Sequence, residues 1–147
     1  KVGMLRIHKL VEEWQKTLKK QTEHLKPIDD FLGIINSLFI YKNAEMNKAN
    51  DLTFISNKGI DLGTNRLSSG EKQLLILLGE SLIQERQPWI YIADEPELSL
   101  HVSWQDALVN NIIKINPNAQ LIIATHSPDV VGEFRNGVKN MKEILHD

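Results

Sequence analysis

Two short apolar runs, separated by a stretch long enough for a helix, constrain the fold more than any other feature. Residues 89–93 and 121–125 are rich in isoleucine and other β-forming residues, and the amphipathic residues 102–115 lie between them. An Asn-Pro-Asn sequence at 116–118 separates the helical pattern from the second run. Strand, helix and strand in this order predict a βαβ unit with parallel strands covered on both faces. We therefore expect an α/β fold.

The remaining segments predict helices and a small hairpin. Apolar residues recur every three or four positions over residues 5–18, which indicates an amphipathic helix. Pro27 interrupts this pattern, and the denser apolar pattern of residues 28–39 predicts a second, more buried helix. Residues 52–62 contain two β-like runs around the turn-forming Asn-Lys-Gly sequence, which is typical of a hairpin. A helical pattern then covers residues 71–84.

Composition excludes several classes of protein. The chain has 147 residues, a formal net charge of −2 and no cysteine, so disulfides and thiolate zinc sites are excluded. A cysteine-free chain is compatible with a reducing cytoplasm, where we expect it to work. No apolar run approaches the roughly 18 residues that a membrane span needs, so we expect no membrane association. Without a global basic field, nucleic acid would have to bind a local patch or a partner.

Two adjacent acids, Asp94 and Glu95, follow the first apolar run. In a nucleotide site the first acid of such a pair holds the magnesium shell, and the second orients and activates the attacking water. The alternative is a solvated acidic turn after a core strand, and the pair alone does not decide between the two.

Two hydroxyls and a glycine, Ser68, Ser69 and Gly70, immediately precede the helical pattern of residues 71–84. The start of a helix offers unpaired backbone N–H groups and a positive dipole end, and glycine permits close approach, so these residues suit an anion. The alternative is an ordinary serine N-cap with no ligand.

A third polar cluster, Thr125-His126-Ser127, ends the second apolar run. Functional groups in parallel sheets lie just past the carboxyl ends of the strands, where His126 can meet a phosphate or a water molecule. A lone histidine at such a position is more often only a hydrogen-bonded loop residue.

The order and spacing of the three clusters carry more information than any one of them. Over residues 66–131 the sequence resembles the ABC-type ATPases of the SMC, RecF and OLD group. The resemblance lies in three motifs separated by two helices, which are LSSGEKQ, IYIADEPELSLH and IIATHSP in chain order. The matched motifs are the ABC signature at residues 67–71, the Walker B acids Asp94 and Glu95, the D-loop at residues 97–101 with Ser99 and His101, and the switch histidine His126.

This resemblance implies the C-terminal lobe of a P-loop ATPase head. Asp94 would then coordinate Mg²⁺ through the ion's water shell, and Glu95 would act as general base. His126 would contact the γ-phosphate of ATP bound to its own head. The signature would instead reach ATP held by a second head, through Ser68, Ser69 and Gly70. Because two heads close around two nucleotides in this family, the resemblance implies a homodimer.

The departures from the pattern point to a subfamily. His101 stands where transporter-type D-loops usually have aspartate, and Glu-Leu-Ser-Leu-His looks more like the OLD and PtuA-type defence ATPases. Ser69 replaces the glycine of many signatures, which is a small change. The resemblance therefore implies an ATPase that drives or gates a DNA-related or phage-defence process, with DNA or another nucleic acid and a nuclease as further partners.

The phosphate-binding loop of such an ATPase is absent from this sequence. No G-x-x-x-x-G-K-[ST] motif occurs, so nothing in the sequence would cradle the α and β phosphates. The chain begins with Lys1 rather than methionine, so we expect an upstream Walker A lobe in the same protein. Residues 1–50 would then be a helical segment, either the return arm of an insertion between lobes or a plain surface helix, and residues 51–147 the lobe itself.

Two other functions stay open at this point. The chain could be a non-catalytic dimerisation or scaffold module, although the retention of Glu95 and His126 argues against degeneration. It could also be the regulatory ATPase part of a defence nuclease, although no nuclease-like cluster of acids occurs in it. In every case the chain alone is expected to be inactive, because it lacks Walker A.

Overall fold

Helices and two small sheets make up the structure, a computed structural model that describes residues 2–141 apart from the side chains at positions 2–5, 21 and 24. The elements are α1 Val2–Leu38, β1 Lys42–Met46, β2 Leu52–Ser56, β3 Asp61–Leu62, α2 Ser69–Ile83, β4 Ile90–Asp94, α3 Val102–Ile115, β5 Gln120–Ala124 and α4 Pro128–Val131. Short 3-10 helices span Thr64–Arg66 and Arg135–Gly137. Residues 142–147 of the predicted lobe and the side chain of Leu5 lie outside the described part.

The predicted βαβ unit is confirmed. Strands β4 and β5 pair in parallel, from Ile90 opposite Gln120 to Asp94 opposite Ala124. Helix α3 connects them and buries one apolar face, whose buried members are Leu108, Val109, Ile112 and Ile115. The α/β fold class, with parallel strands flanked by helices and preceded by a helical segment and a small hairpin, follows from this arrangement.

The expectation that both faces of this sheet are covered is wrong for the described residues. Alternate side chains of a strand point to opposite faces, and Tyr91 of β4 is 5% exposed whereas Ile92 is 75% exposed. Ile90 and Ile122 are also exposed. The Tyr91 hydroxyl donates to the carbonyl of Leu77 in α2, and Tyr91 shares the main core with Leu108 of α3. Both helices thus lie on the covered side, and residues 2–141 leave the opposite apolar face open.

The expected break at Pro27 is also wrong, because α1 continues through it. A proline in a helix interior usually costs about 3 kcal/mol. After Pro27 the helix buries Phe31, Ile34 and Ile35 in the main core, and burying each such side chain contributes about 1.5–3 kcal/mol, enough to offset the break. Before Pro27 the predicted apolar stripe is exposed, with Trp14 65% accessible. Within residues 2–141, no helix combines the length and apolar character that a membrane crossing requires.

The predicted hairpin is confirmed and belongs to a larger sheet. Strands β2 and β3 pair antiparallel, and the turn between them places Gly59 at φ 73°, a conformation that glycine adopts without strain. Strand β1, which the polar sequence of residues 42–50 did not indicate, pairs antiparallel with β2. Phe54 of β2 stacks on Phe39, with ring centroids 6.1 Å apart. The boundary at residue 50 stays a prediction, although β1 and β2 pair across it.

Candidate functional site

The carboxyl ends of β4 and β5 bring Asp94, Glu95 and His126 to one edge of the sheet, which we name the catalytic edge. The Glu95 amide donates to the carbonyl of Ala124 at 2.8 Å, so the parallel pairing itself fixes the start of the loop. The His126 amide donates to Oε2 of Glu95 at 3.4 Å, and His126 Nε2 lies 3.4 Å from Glu95 Oε1. The fold thus brings together the acid and the histidine that the sequence predicted.

The backbone of the loop after β4 is held in a left-handed conformation at two non-glycine residues. Glu95 has φ 45° and Ser99 has φ 73°. Such conformations cost on the order of 1–3 kcal/mol each and are concentrated at functional sites. The turn bonds of Leu98 to Glu95 and of Leu100 to Glu97, 3.0 and 2.9 Å long, hold the loop in this shape.

An open cavity of about 840 Å³ extends from the catalytic edge along β5, where residues of α3, α4 and the segment 134–141 also line it. Asp94, Glu95 and His126 contribute polar groups at one end, and the remaining lining is mostly apolar, including Ile122 and Val131. The His126 side chain is 96% exposed and that of Glu95 is 26% exposed. Both side chains are therefore accessible to a ligand or to a covering lobe.

The start of α2 is a complete capping box. The Ser68 hydroxyl oxygen accepts from the Glu71 amide at 3.3 Å, and Glu71 Oε2 accepts from the Ser68 amide at 2.7 Å. The N-cap interpretation of Ser68 is therefore correct for the local structure. Capping does not exclude an anion, because the Ser68 hydroxyl proton and the exposed Ser69 side chain remain available to one.

A lysine that sequence reasoning missed braces this helix start. Lys42 of β1 donates to Glu71 Oε2 at 2.6 Å and to the carbonyl of Arg66 at 3.2 Å. Burial raises the pKa of Glu71, but the hydrogen bonds from Lys42 and Ser68 together outweigh it and hold the pKa below its ordinary value. No local sequence signal could have found this contact, since it joins residues 29 positions apart.

The signature glycine and the D-loop are in direct contact. A Cβ atom added to Gly70 would lie 2.5 Å from the carbonyl oxygen of Ser99, so only glycine permits this approach. Signature and D-loop residues together line a cavity of about 400 Å³, which we name the signature pocket. Its lining includes Ser68, Ser69, Gly70, Ser99 and His101.

The D-loop histidine begins α3. His101 is the N-cap of that helix, and its Nδ1 accepts from the Ser103 amide at 3.3 Å. Its ring lies 6.3 Å from that of Trp104, which in turn stacks on Phe39. His101 is exposed, so it can contribute to the signature pocket.

A divalent cation at the catalytic edge would have few protein ligands. Within residues 2–141, no group of three or more histidine and acidic side chains is arranged to hold a metal. The exposed carboxylate of Asp94 at the strand end fits Mg²⁺, which keeps several waters and binds through one or two carboxylates and substrate phosphates. Asp94 is the residue that would hold it.

The structure thus places an acid beside a histidine at one edge of the parallel sheet, and a separate polar pocket at the start of α2. The AAA ATPase domain family matches residues 4–131. The chain belongs to this family. Its membership confirms the P-loop fold class predicted from the motifs, and an AAA ATPase domain implies the use of ATP.

The names of proteins similar to this chain agree with the resemblance to PtuA-type proteins. The chain is 30% identical over 131 residues to a Retron Vc95 probable ATPase from Vibrio cholerae, an alignment covering 82% of this chain and 24% of that protein. It is 27% identical to a Retron Ec83 probable ATPase from Escherichia coli, covering 83% and 26%. Septu protein PtuA from Bacillus thuringiensis is 29% identical, covering 76% and 31%. The chain thus spans about a quarter to a third of these relatives' lengths.

Proposed function

We propose that this chain is the signature and Walker B lobe of an ATPase that hydrolyses ATP between two heads, in the service of phage defence. One observation carries the proposal. A single lobe holds two separate polar surfaces, the catalytic edge with Glu95 against His126 and the signature pocket with Gly70 against Ser99. The two surfaces share no lining residue, and two such lobes arranged head to head would each complete the other's site.

At the catalytic edge each side chain has a distinct task. Glu95 accepts a proton from a water molecule, whose oxygen attacks the γ-phosphorus of ATP while the bond to the β-phosphate oxygen breaks and ADP leaves. His126, 3.4 Å from Glu95, is close enough to hold the γ-phosphate beside that carboxylate. Asp94 would hold Mg²⁺ through the ion's water shell, and the bound ion would supply positive charge beside the phosphate oxygens.

The signature pocket receives the γ-phosphate of ATP on the partner head. The hydroxyl protons of Ser68 and Ser69 and the first amides of α2, including that of Gly70, are donors at the positive end of a helix. Ser99 and His101 of the D-loop line the same pocket, so a change at the nucleotide reaches both motifs. A homodimer is the simplest assembly that supplies these contacts twice.

A second lobe with the Walker A loop is part of this proposal. The sheet face formed by Ile90, Ile92 and Ile122 is exposed over residues 2–141, and parallel sheets are usually buried on both faces. The relatives are about three to four times as long as their segments that align with this chain. We propose that upstream residues of the same protein cover this face, and that the helix before Pro27 is the return arm of an insertion.

The biological setting rests on the relatives. Two are named as retron probable ATPases and one as a Septu protein, so we propose a defence role for this ATPase. The cytoplasm is the proposed location, which suits a chain without cysteine. DNA or another nucleic acid and a nuclease are the partners such a role suggests. The contact of Glu95 with His126 favours active hydrolysis over a purely structural module.

The test is ATP turnover by the full-length protein with Glu95→Gln. We expect ATP binding to persist and hydrolysis to slow by about 10²-fold or more, because glutamine cannot accept the proton. Glu45→Gln, an exposed glutamate on β1, is the matched control and should turn over like the wild type. Unchanged hydrolysis in Glu95→Gln would refute the assignment of the base.

A further inference from the structure

A buried glutamate lies between the catalytic edge and the signature pocket. Glu97 is 6% exposed although it lies in the loop after β4, where Leu98 is 64% exposed. Its Oε1 accepts a hydrogen bond from the hydroxyl of Thr125. Its Oε2 is buried and has no hydrogen-bond partner among the described residues. Since a buried, half-satisfied carboxylate opposes folding, its presence here needs a reason other than stability.

The hydrogen bond to Thr125 belongs to a closed series, which we name the hydrogen-bonded ring. The Thr125 oxygen accepts from the Ser127 amide at 3.0 Å, and the Ser127 hydroxyl donates to Gln105 Oε1 at 2.8 Å. Gln105 Nε2 donates to the carbonyl of Leu100 at 3.3 Å. The Leu100 amide donates to the carbonyl of Glu97 at 2.9 Å, which closes the ring.

The ring joins the two parts of the site. Thr125 and Ser127 are the neighbours of His126 in the chain, so the ring fixes the backbone on both sides of that histidine. Glu97 and Leu100 belong to the D-loop, whose Ser99 carbonyl packs against Gly70. The ring therefore connects the D-loop to the residues on both sides of His126, whose side chain contacts Glu95.

Glu97 does not itself face either ligand surface. It lines neither the signature pocket nor the cavity at the catalytic edge, whereas Glu95 and His126 line the latter. Its carboxylate contacts Thr125, not a space that a nucleotide could enter. Any effect of Glu97 on hydrolysis must then pass through the residues it holds.

We propose that Glu97 is a positioning residue, whose buried carboxylate holds Thr125 so that the D-loop and His126 keep one geometry relative to Glu95. This inference rests on the proposed ATPase function. It predicts that the acceptor oxygen matters and the negative charge does not, because the hydroxyl of Thr125 needs only an acceptor.

The first test opens the ring at Thr125 in the full-length protein. Thr125→Val keeps the shape but removes the hydroxyl, and we expect kcat to fall about 10- to 100-fold, the range for displaced reacting groups. ATP affinity should stay within about 3-fold, since the ring contacts no nucleotide. Thr125→Ser restores the hydroxyl and should recover most of the wild-type kcat.

The second test separates acceptor from charge at Glu97. Glu97→Gln keeps an acceptor oxygen and should hydrolyse ATP within about 3-fold of wild type, whereas Glu97→Leu should lose kcat as Thr125→Val does. The double variant Glu97→Leu with Thr125→Val should be no slower than either single one, because both open the same ring. Should the leucine variants fail to fold, Ser127→Ala opens the ring at a half-buried residue and should lower kcat about 3- to 10-fold.

Each result bears on one proposal at a time. A wild-type protein that does not hydrolyse ATP would refute the proposed function and not the ring. If the wild type is active and Glu95→Gln is slow, a normal kcat in both Thr125→Val and Ser127→Ala overturns the positioning role. A Glu97→Gln variant as slow as Glu95→Gln also overturns it, since the charge of Glu97 would then act directly.

Discussion

The signature pocket and the catalytic edge differ in how much of their geometry the chain fixes by itself. At the signature, Ser68 and Glu71 cap α2 reciprocally, Lys42 anchors Glu71, and Gly70 packs against the D-loop carbonyl. At the catalytic edge, the His126 side chain is 96% exposed and meets Glu95 only at 3.4 Å. Hydrogen bonds and packing within the chain hold the first surface in place, whereas the His126 side chain at the second is almost fully exposed.

This difference would affect how each surface responds to a ligand when, as proposed, two heads close on nucleotide. A rigid anion pocket can capture a phosphate offered by a partner without reorganising, which lowers the entropy lost on binding. An open edge with a strained Glu95 can change when its own nucleotide and lobe are in place. Binding of the partner's phosphate and hydrolysis of ATP would then take place at separate surfaces. The hydrogen-bonded ring would connect these two surfaces.

The largest expected effect concerns the chain on its own. Asp94, Glu95 and His126 can address magnesium, water and the γ-phosphate, but no amide-lined loop with a lysine is present for the α and β phosphates. We expect the 147-residue chain to show no tight ATP binding by calorimetry and no phosphate release. A chain extended through the upstream lobe should gain both.

The opposite result would contradict the difference between the two surfaces. Micromolar ATP binding or clear turnover by the chain alone would mean that the catalytic edge is already complete. The proposed upstream Walker A lobe would then be unnecessary.

The next effect tests the rigidity of the signature pocket. Gly70→Asp places a Cβ atom 2.5 Å from the Ser99 carbonyl, so it should displace the D-loop, destabilise the lobe by about 1–3 kcal/mol, and abolish ATP-dependent dimerisation. Analytical ultracentrifugation with and without Mg-ATP and thermal unfolding measure the two effects.

Ser69→Asp is the matched variant, because Ser69 is exposed and an acid in the first turn of a helix is tolerated. It should block dimerisation by repelling the γ-phosphate while the unfolding temperature stays unchanged. If Ser69→Asp still dimerises with ATP, the helix start is only an N-cap and the pocket receives no phosphate.

A smaller effect tests what covers the sheet beside the catalytic edge. Ile92 is 75% exposed, so Ile92→Glu should change the unfolding free energy of the isolated chain by about 0.5 kcal/mol or less. In the full-length protein the same change should cost about 1.5–3 kcal/mol, because it would place a charge where a lobe buries the isoleucine.

Ile60→Glu, at an exposed turn position, is the control and should be neutral in both proteins. Equal, small effects of Ile92→Glu in the isolated chain and in the full-length protein would contradict a covering lobe. The open face would then be a property of the whole protein.

Periodicity predicted much of the fold, and motif order predicted the members of the site, for different reasons. The βαβ unit follows from local apolar patterns, and its parallel pairing necessarily brings Glu95 and His126 to one edge. Strand β1 and the continuity of α1 through Pro27 were missed, because pairing with β2 and packing of Phe31 decide them. The Lys42 brace and the Thr125 bond to Glu97 were missed for a similar reason, since both join residues distant in sequence.

The smallest effect concerns the Lys42 brace and depends on pH. The pKa of Glu71 in the folded chain is lowered from 4.5, so its contribution to stability is present above that pH and is lost as the pH falls through the folded value. Lys42→Met should lower the unfolding free energy by about 1 kcal/mol or less at neutral pH. At an acidic pH below the folded pKa of Glu71 the difference from wild type should shrink, because Glu71 is then protonated in both proteins. Lys58→Met, at the exposed turn beside Gly59, removes the same charge without an ion pair. Urea unfolding of the three proteins at both pH values measures the effect. A Lys42→Met deficit that is equal at the two pH values would mean that the lysine stem packs against the signature, and that its charge does not brace it.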